Sequence, residues 1–543
     1  MMSTGVEVGL ATKPGTRTGR ESPVPAALTN SQRRLMPLEA TAGDLTERYR
    51  ILILCGISIC YFLVTLALSR RKLLWTDEFF TLYLSRLNVH DLWSALLTGG
   101  DQHPPLFYLL HHVLLRLVGE EVFALRLPAI LGFLLMMLCV YRFVAYRTSI
   151  AYGVVAMVFP LVTIAHEYAY EARGYSLLLG FFALAIVCWQ EAGVSKWRIP
   201  SLIGMALALT AGVCSHYYSL FLIPAIAGAE ITRSLRSRSW KVGAWLAMCS
   251  PVLPLILFLP AIRAGRTFAG TFWGKASAIE IYRYYENVFS PGILCLLLCF
   301  VVGGLYRFLW PRDGTTALQR RESVPLEEIV LGLIIGAAPV ILYGVGKTVV
   351  GVFAWRYALG GVVGIAILFA LSCFRLFRGK VTAAWLLVAI ISLCFGIIAW
   401  LNMHQLGEQR AALRAIVKLT DGLASESEPL IIGDSQMFYA LSYYAPPAMK
   451  HHYLYLFDTA RSLKYLRQDT PDRSLAALNS WFDLNIRPYA PYIKSHPHLK
   501  ICTTLDQNWD WLPFAVVDEG NKVSITARIG LVFLLSVDAA PPK

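Results

Sequence analysis

Two adjacent acids, Asp77 and Glu78, follow Trp75 and Thr76 shortly after the first long apolar stretch of the chain. A carboxylate at a membrane boundary is costly unless it is solvated, paired or used, and a used one can take a proton from an attacking hydroxyl. Polar residues gather again at Asp101-Gln102-His103-Pro104-Pro105, at His166 to Tyr175 (which holds Glu167, Glu171 and Arg173), at Ser215-His216-Tyr217-Tyr218 and at Trp355-Arg356-Tyr357. A guanidinium fork pairs with two phosphate oxygens, so Arg173 and Arg356 suit an anion whose charge grows as a bond breaks. Each group also has a plainer role. Asp77 and Glu78 stand where a helix beginning near residue 79 favours acids, and Pro104-Pro105 suit the first turn of a helix at 106. Isolated Arg, His, Tyr and Trp residues commonly sit at lipid headgroups.

These residues need elements to hold them, and composition says which kind. Of the 543 residues 56% are apolar and only 15% charged, a balance that places the chain in a membrane. The net charge of +14 comes from small basic clusters between apolar runs, which argues for topology rather than nucleic-acid binding. Roughly eleven stretches approach the ~20 residues that cross a bilayer as a helix: 51–69, 127–145, 150–165, 175–190, 200–215, 218–232, 242–262, 291–309, 328–346, 357–374 and 381–401. Pro160 predicts a kink in the third. Ten of the eleven cysteines lie in or beside these runs and Cys502 stands alone, so no disulfide framework or Cys-based metal site follows.

Every second loop is basic: Arg142 and Arg147; Lys196 and Arg198; Arg233, Arg236, Arg238 and Lys241; Arg307, Arg312, Arg320 and Arg321; Arg375, Arg378 and Lys380. Basic loops stay in the cytoplasm, so the N-terminus is expected inside and the C-terminus outside the cytoplasmic membrane. Arg70, Arg71 and Lys72 dissent, in a long loop where the rule weakens. All the polar clusters above then fall at the outer face. Three parts are expected: a disordered basic tail over 1–45 with Arg17, Arg20, Arg33 and Arg34, a membrane domain over 46–401, and a soluble extracytoplasmic α/β domain over 402–543. The last contains a helix-like piece at 406–424 and strand-like pieces at Leu430-Ile431-Ile432 and Ala515-Val516-Val517.

In order, Trp75-Thr76-Asp77-Glu78, His103-Pro104-Pro105-Leu106-Phe107-Tyr108, Ala124-Leu125-Arg126-Leu127-Pro128 and Glu171-Ala172-Arg173-Gly174-Tyr175 resemble the bacterial branch of the protein O-mannosyltransferase-like GT-C glycosyltransferases. That family includes protein mannosyltransferases and the aminoarabinose and galacturonic acid transferases of lipopolysaccharide. The resemblance covers about residues 50–400, is strongest from 75 to 180, weaker at Arg356-Tyr357, and absent from the tail and the C-terminal domain. It implies a polyprenyl-phosphate-linked sugar as donor, a lipid, glycan or protein acceptor, and a single inverting displacement at the outer face, with Asp77 as base and Glu78 beside it. Asp101, His103, Glu167, Glu171, Arg173, Tyr175, His216, Arg356 and Tyr357 are the substrate-binding candidates. A divalent metal is optional for such a leaving group, with His103, Glu167 and Glu171 as ligand-type residues. Competing readings are a polytopic secondary transporter, whose charges belong near the midplane of two repeated halves, and a non-catalytic envelope scaffold.

Overall fold

The computed structural model describes residues 30–538 apart from Glu120, Ser195, 310–323, Ala424, Glu426 and Ser427. The expected tail divides there. Residues 1–29, with Arg17 and Arg20, lie outside the described residues, as do Arg312, Arg320 and Arg321. Residues 30–45 are not disordered: they belong to the helix Asn30–Arg48. Its Glu39 accepts from the backbone N–H groups of Val381 and Thr382, which open the last membrane helix, and Trp385 donates to Thr46 over 2.9 Å. Orphan N–H groups at a helix start attract a carboxylate, and this one orders the end of the tail.

Among the described residues six helices are long and apolar enough to cross a membrane, or nine if each of three bent pairs is one span. This is fewer than eleven. The stretches 218–232 and 357–374 correspond to Ile223–Ser237 and Gly361–Leu376, whose 15 and 16 residues fall short of the ~20 for a full crossing. The kink expected in the third stretch is present, three residues past Pro160 at Thr163, with Ile150–Val162 and Ile164–Tyr170 meeting at 77°. Ion pairs and hydrogen bonds knit the basic turns together at one end of the bundle. Arg147 pairs with Glu328 (2.7 Å), Arg236 with Glu327 (2.9 Å), and Tyr152 donates to the Lys380 carbonyl (3.0 Å). The polar clusters lie at the opposite end.

Small residues set the helix spacing. A Cβ on Gly180 would stand 2.3 Å from the Gly132 carbonyl oxygen, and one on Gly132 would stand 2.7 Å from that of Ser176. The helices Glu121–Ala145 and Tyr175–Val194 therefore cross backbone to backbone, which places the turn 171–174 against the start of the first.

The helix Val381–Thr420 runs unbroken for 40 residues, so the boundary expected at 402 falls inside it, and the helix-like piece at 406–424 is its outer half. At 1.5 Å per residue it spans ~60 Å, about twice the hydrocarbon thickness. Beyond it six strands form one sheet: β1 (Leu430–Ile432), β2 (Tyr453–Phe457), β3 (Ile486–Pro488), β4 (His498–Thr503), β5 (Lys522–Ile529) and β6 (Val532–Asp538), in the order β3-β2-β1-β4-β6-β5. The first four pair in parallel and the last two form an antiparallel hairpin. The expected α/β class is met, yet Ala515-Val516-Val517 lie in the helix Leu512–Asp518 rather than a strand. Pro513 opens that helix, and a three-residue apolar run carries no period to separate the two forms.

The sheet domain shares a core with the membrane domain instead of hanging from it. Phe79 stacks on Tyr439 (5.3 Å between ring centres), Tyr83 packs on Phe482 (5.1 Å), and the Leu74 N–H donates to the Tyr444 hydroxyl over 2.9 Å. Its own interior holds buried acids. Burial pushes Asp510 up to about 8 despite the hydrogen bond from Thr503, and pushes Asp472 up to about 6. An unfolded aspartate titrates near ~3.9, so between that value and their folded ones the native state binds more protons. The stability they contribute is thus full below ~4 and lost as pH rises through that window. Amides of β1 and β4 are expected to exchange hydrogen through more frequent opening at pH 8.5 than at pH 6, after correction for intrinsic chemistry. Asp510→Asn should flatten the upper part of this dependence, and an unchanged slope would remove Asp510 as its source.

Candidate active site

Asp77 occupies the first turn of the helix Thr76–Arg86, whose N-cap is Trp75 and has no side-chain capping bond. Its carboxylate, 22% exposed, faces two guanidinium groups: Oδ2 lies 3.8 Å from Arg173 Nε and 3.5 Å from Arg356 Nη2. It lines a cavity of about 400 Å³ with Asp101, His103, Arg173, Tyr175, His216, Arg356 and Tyr357. Seven of the nine residues expected to bind substrate thus surround the expected base, though they come from turns up to 280 positions away (357 minus 77).

Glu78 points elsewhere. Fully buried, it forms a two-toothed ion pair with Arg126 (both contacts 2.7 Å) and accepts from the Ala172 N–H over 2.7 Å. Burial raises its carboxyl, but the charge and hydrogen bonds of Arg126, then Lys72 and the Ala172 amide, outweigh that and hold it below the ordinary value. Arg126 also donates to the carbonyls of Ser69, Lys72 and Leu73. This one guanidinium ties the end of the first span to the helix of Asp77 and, through Glu78, to the turn of Arg173. Glu78, expected beside the base, does not line the cavity. Nor do Glu167 and Glu171, and Glu171 pairs with Lys72.

Arg173 is the centre of the network. It donates to Asp101 over 2.9 Å, to the Asp77 carbonyl over 2.9 Å, and lies 3.1 Å from His103 Nδ1. Burial raises the Asp101 carboxyl, but Arg173 and His103 overcome this and hold it well below the usual carboxylate range. Burial lowers both His103 and His216, and the Arg173 charge lowers them further. Their Nε2 atoms have no hydrogen-bond partner among the described residues. Arg356 is held on its faces, 5.6 Å over the Trp75 ring and 4.7 Å over the Trp273 ring, and its Nε is likewise unpartnered among the described residues. Among the described residues no group of three or more His, Cys, Asp and Glu side chains is arranged to hold a metal ion.

Trp273, Phe268, Arg266, Thr470 and Ser474 also line the cavity and were not read from the sequence. The first three follow the expected span 242–262, which bends by 69° at Phe258 and turns its end, Leu259–Arg266, towards the site. Pro260, at the second position of that piece, was the available signal.

The bundle of broken and unbroken helices thus gathers its polar clusters at one end, against the sheet domain. A family model described as dolichyl-phosphate-mannose-protein mannosyltransferase matches residues 102–262. The structure is similar to that of ArnT from Cupriavidus metallidurans in the apo state, with 12% identity over 92% of this chain and 100% of that one and a TM-score of 0.56. It is also similar to the same protein bound to undecaprenyl phosphate, with 13% identity over 91% and 99% and a TM-score of 0.54. No curated protein matches the chain. The family match covers the resembling region from residue 102 onward, and the likeness to ArnT extends the shared fold along nearly the whole chain.

Proposed function

We propose that this protein is an integral membrane glycosyltransferase that moves a hexosyl or pentosyl group from a polyprenyl-phosphate carrier to a hydroxyl of a lipid, glycan or protein, inverting the anomeric centre. The observation that carries the reading is Asp77, a carboxylate open to a cavity, serving no cap, and flanked by two guanidinium groups. Asp77 takes the proton of the acceptor hydroxyl as its oxygen bonds to the anomeric carbon. The bond from that carbon to the phosphate oxygen breaks on the opposite side. The departing phosphate gains charge, which Arg356 and Arg173 offset. The undecaprenyl phosphate held by the solved ArnT supports a carrier of this class. A transporter would place such groups at the bundle's midplane, whereas these lie at one end.

Arg356 is the cleaner test of the phosphate role, because removing Arg173 also strips Asp101 of its partner. Arg356→Ala is expected to cut turnover by about 10²-fold and weaken donor use, as loss of one transition-state donor does. Arg356→Lys should rescue only in part, since an ammonium keeps the charge but not the planar fork. Full activity of correctly inserted Arg356→Ala would return this residue to an interfacial anchor.

The site belongs at the extracytoplasmic face of the cytoplasmic membrane in this reading, which rests on the basic turns at the other end. A periplasmic reporter fused after residue 538 should be active and one inserted near Arg236 inactive. The reverse pattern would put Asp77 in the cytoplasm and end the proposal.

A further inference from the structure

The cavity wall draws on two unlike sources. Leu220, Phe221, Leu255 and Ile262 line it from helices of the bundle, and Thr470 and Ser474 line it from the sheet domain's helix Thr470–Asn479. That helix is held in place by the segment that follows the bend at Phe258. Arg473 lies 3.9 Å over the Phe268 ring, with its nitrogens 3.4 Å from the Thr267 carbonyl and hydroxyl oxygens. Phe268 in turn fills the space above Gly99, where φ is +86° and an added Cβ would stand 2.3 Å from the ring. A side chain there would push the ring, and with it the contact to Arg473, outward.

Several polar atoms of this helix's start and the turn before it lack partners among the described residues. Thr470 Oγ1 is buried without a hydrogen bond, as are Asp469 Oδ1 and Gln468 Oε1 in the two residues before it, which are 5% and 6% exposed. Leaving a buried polar group unpaired costs about 1–3 kcal/mol, so Thr470, which of these three lines the cavity, is suited to a guest that pairs its hydroxyl. A lipid tail cannot satisfy that hydroxyl, whereas it matches the apolar residues of the bundle wall.

We infer that the sheet domain forms the acceptor side of the cavity, with Thr470 and Ser474 as specificity-determining residues for a polyhydroxylated acceptor headgroup, while the lipid carrier lies against the apolar residues of the bundle wall. This rests on the transferase reading. The acceptor's neighbouring hydroxyls donate to and accept from the two side-chain hydroxyls, which turns the reacting hydroxyl towards Asp77 across the cavity. The helix Thr470–Asn479 then discriminates between acceptors without touching the sugar being moved.

The test uses the full chain in vesicles made with lipid extract from host cells lacking the gene, where donor and acceptor both remain. Product is identified by mass at graded extract concentrations, and undecaprenyl phosphate binding is measured separately by native mass spectrometry. The double variant T470V/S474A removes two hydroxyls with little change in volume. It should need about tenfold more extract for half-maximal product, with undecaprenyl phosphate binding within twofold of the parent and an unchanged melting temperature. Ser474→Thr, which keeps the hydroxyl, should stay close to the parent. Parental extract dependence of the double variant would overturn the inference, and so would loss of undecaprenyl phosphate binding, which would put both residues on the carrier side. A parent that forms no product and binds no undecaprenyl phosphate would instead overturn the transferase reading itself.

Discussion

Asp77→Asn is expected to insert, fold and bind undecaprenyl phosphate nearly as the parent does, while sugar transfer falls by on the order of 10²–10⁴-fold, the usual worth of a positioned general base. Asparagine preserves size and hydrogen bonding but cannot accept the acceptor's proton. The competing role for an acid in a first helical turn is to cap it, and Asn caps about as well as Asp. Geometry already disfavours that role, because Trp75 is the N-cap and no side-chain bond closes the turn. The lost ion pairs are long, at 3.8 and 3.5 Å, and Arg173 keeps Asp101 as its partner. Turnover per inserted molecule, with membranes as donor and acceptor source, is the deciding measurement, and parental turnover would eliminate Asp77 as the base.

Glu78→Gln, one residue away, should fail in a different way. The substitution leaves Arg126 charged and fully buried with no carboxylate, and breaking a buried pair from one side costs about 3–5 kcal/mol. Purified protein should melt markedly lower and insert in smaller amount, while the folded remainder keeps far more activity per molecule than Asp77→Asn. Replacing both residues with methionine should recover only part of the loss. Although apolar residues can substitute for a buried pair, Arg126 also satisfies the carbonyls of Ser69, Lys72 and Leu73, which the double variant abandons. A Glu78→Gln protein that melts like the parent yet transfers no sugar would reverse the two assignments and make Glu78 the base.

The contrast between these neighbours shows where sequence reading stops. Asp77 and Glu78 are equivalent on paper, since helix position and local charge are the same for both. Only the partner 48 residues on, in the run Ala124 to Pro128, separates them (126 minus 78). Arg126 was visible as part of a motif, but a motif states order and not pairing. The gathering of Asp101, His103, Arg173, His216 and Arg356 was legible because alternating basic loops assign each polar turn to one end of the bundle. The same rule put Glu167 and Glu171 at that end, where they face the first span's end instead of the cavity. Periodicity reports the faces of straight helices, so the bend at Phe258 hid Arg266, Phe268 and Trp273. Thr470 and Ser474 carried no local signal: what makes them cavity residues is the docking of a domain that ordinary short strands and helices describe.

The unbroken helix Val381–Thr420 makes the distance between bilayer and sheet domain a matter of helical phase. Its outer half is gripped at the side, where Arg410 donates to the carbonyls of Arg70 and Arg71 at the end of the first span. One residue added between that grip and the sheet would lift the domain ~1.5 Å and turn it by ~100°, swinging Ser474 off the cavity. Four added residues would lift it ~6 Å yet bring it back to within ~40° of its starting bearing. Height and bearing are thus geared together along this shaft, and chain length here is read as an angle before it is read as a distance.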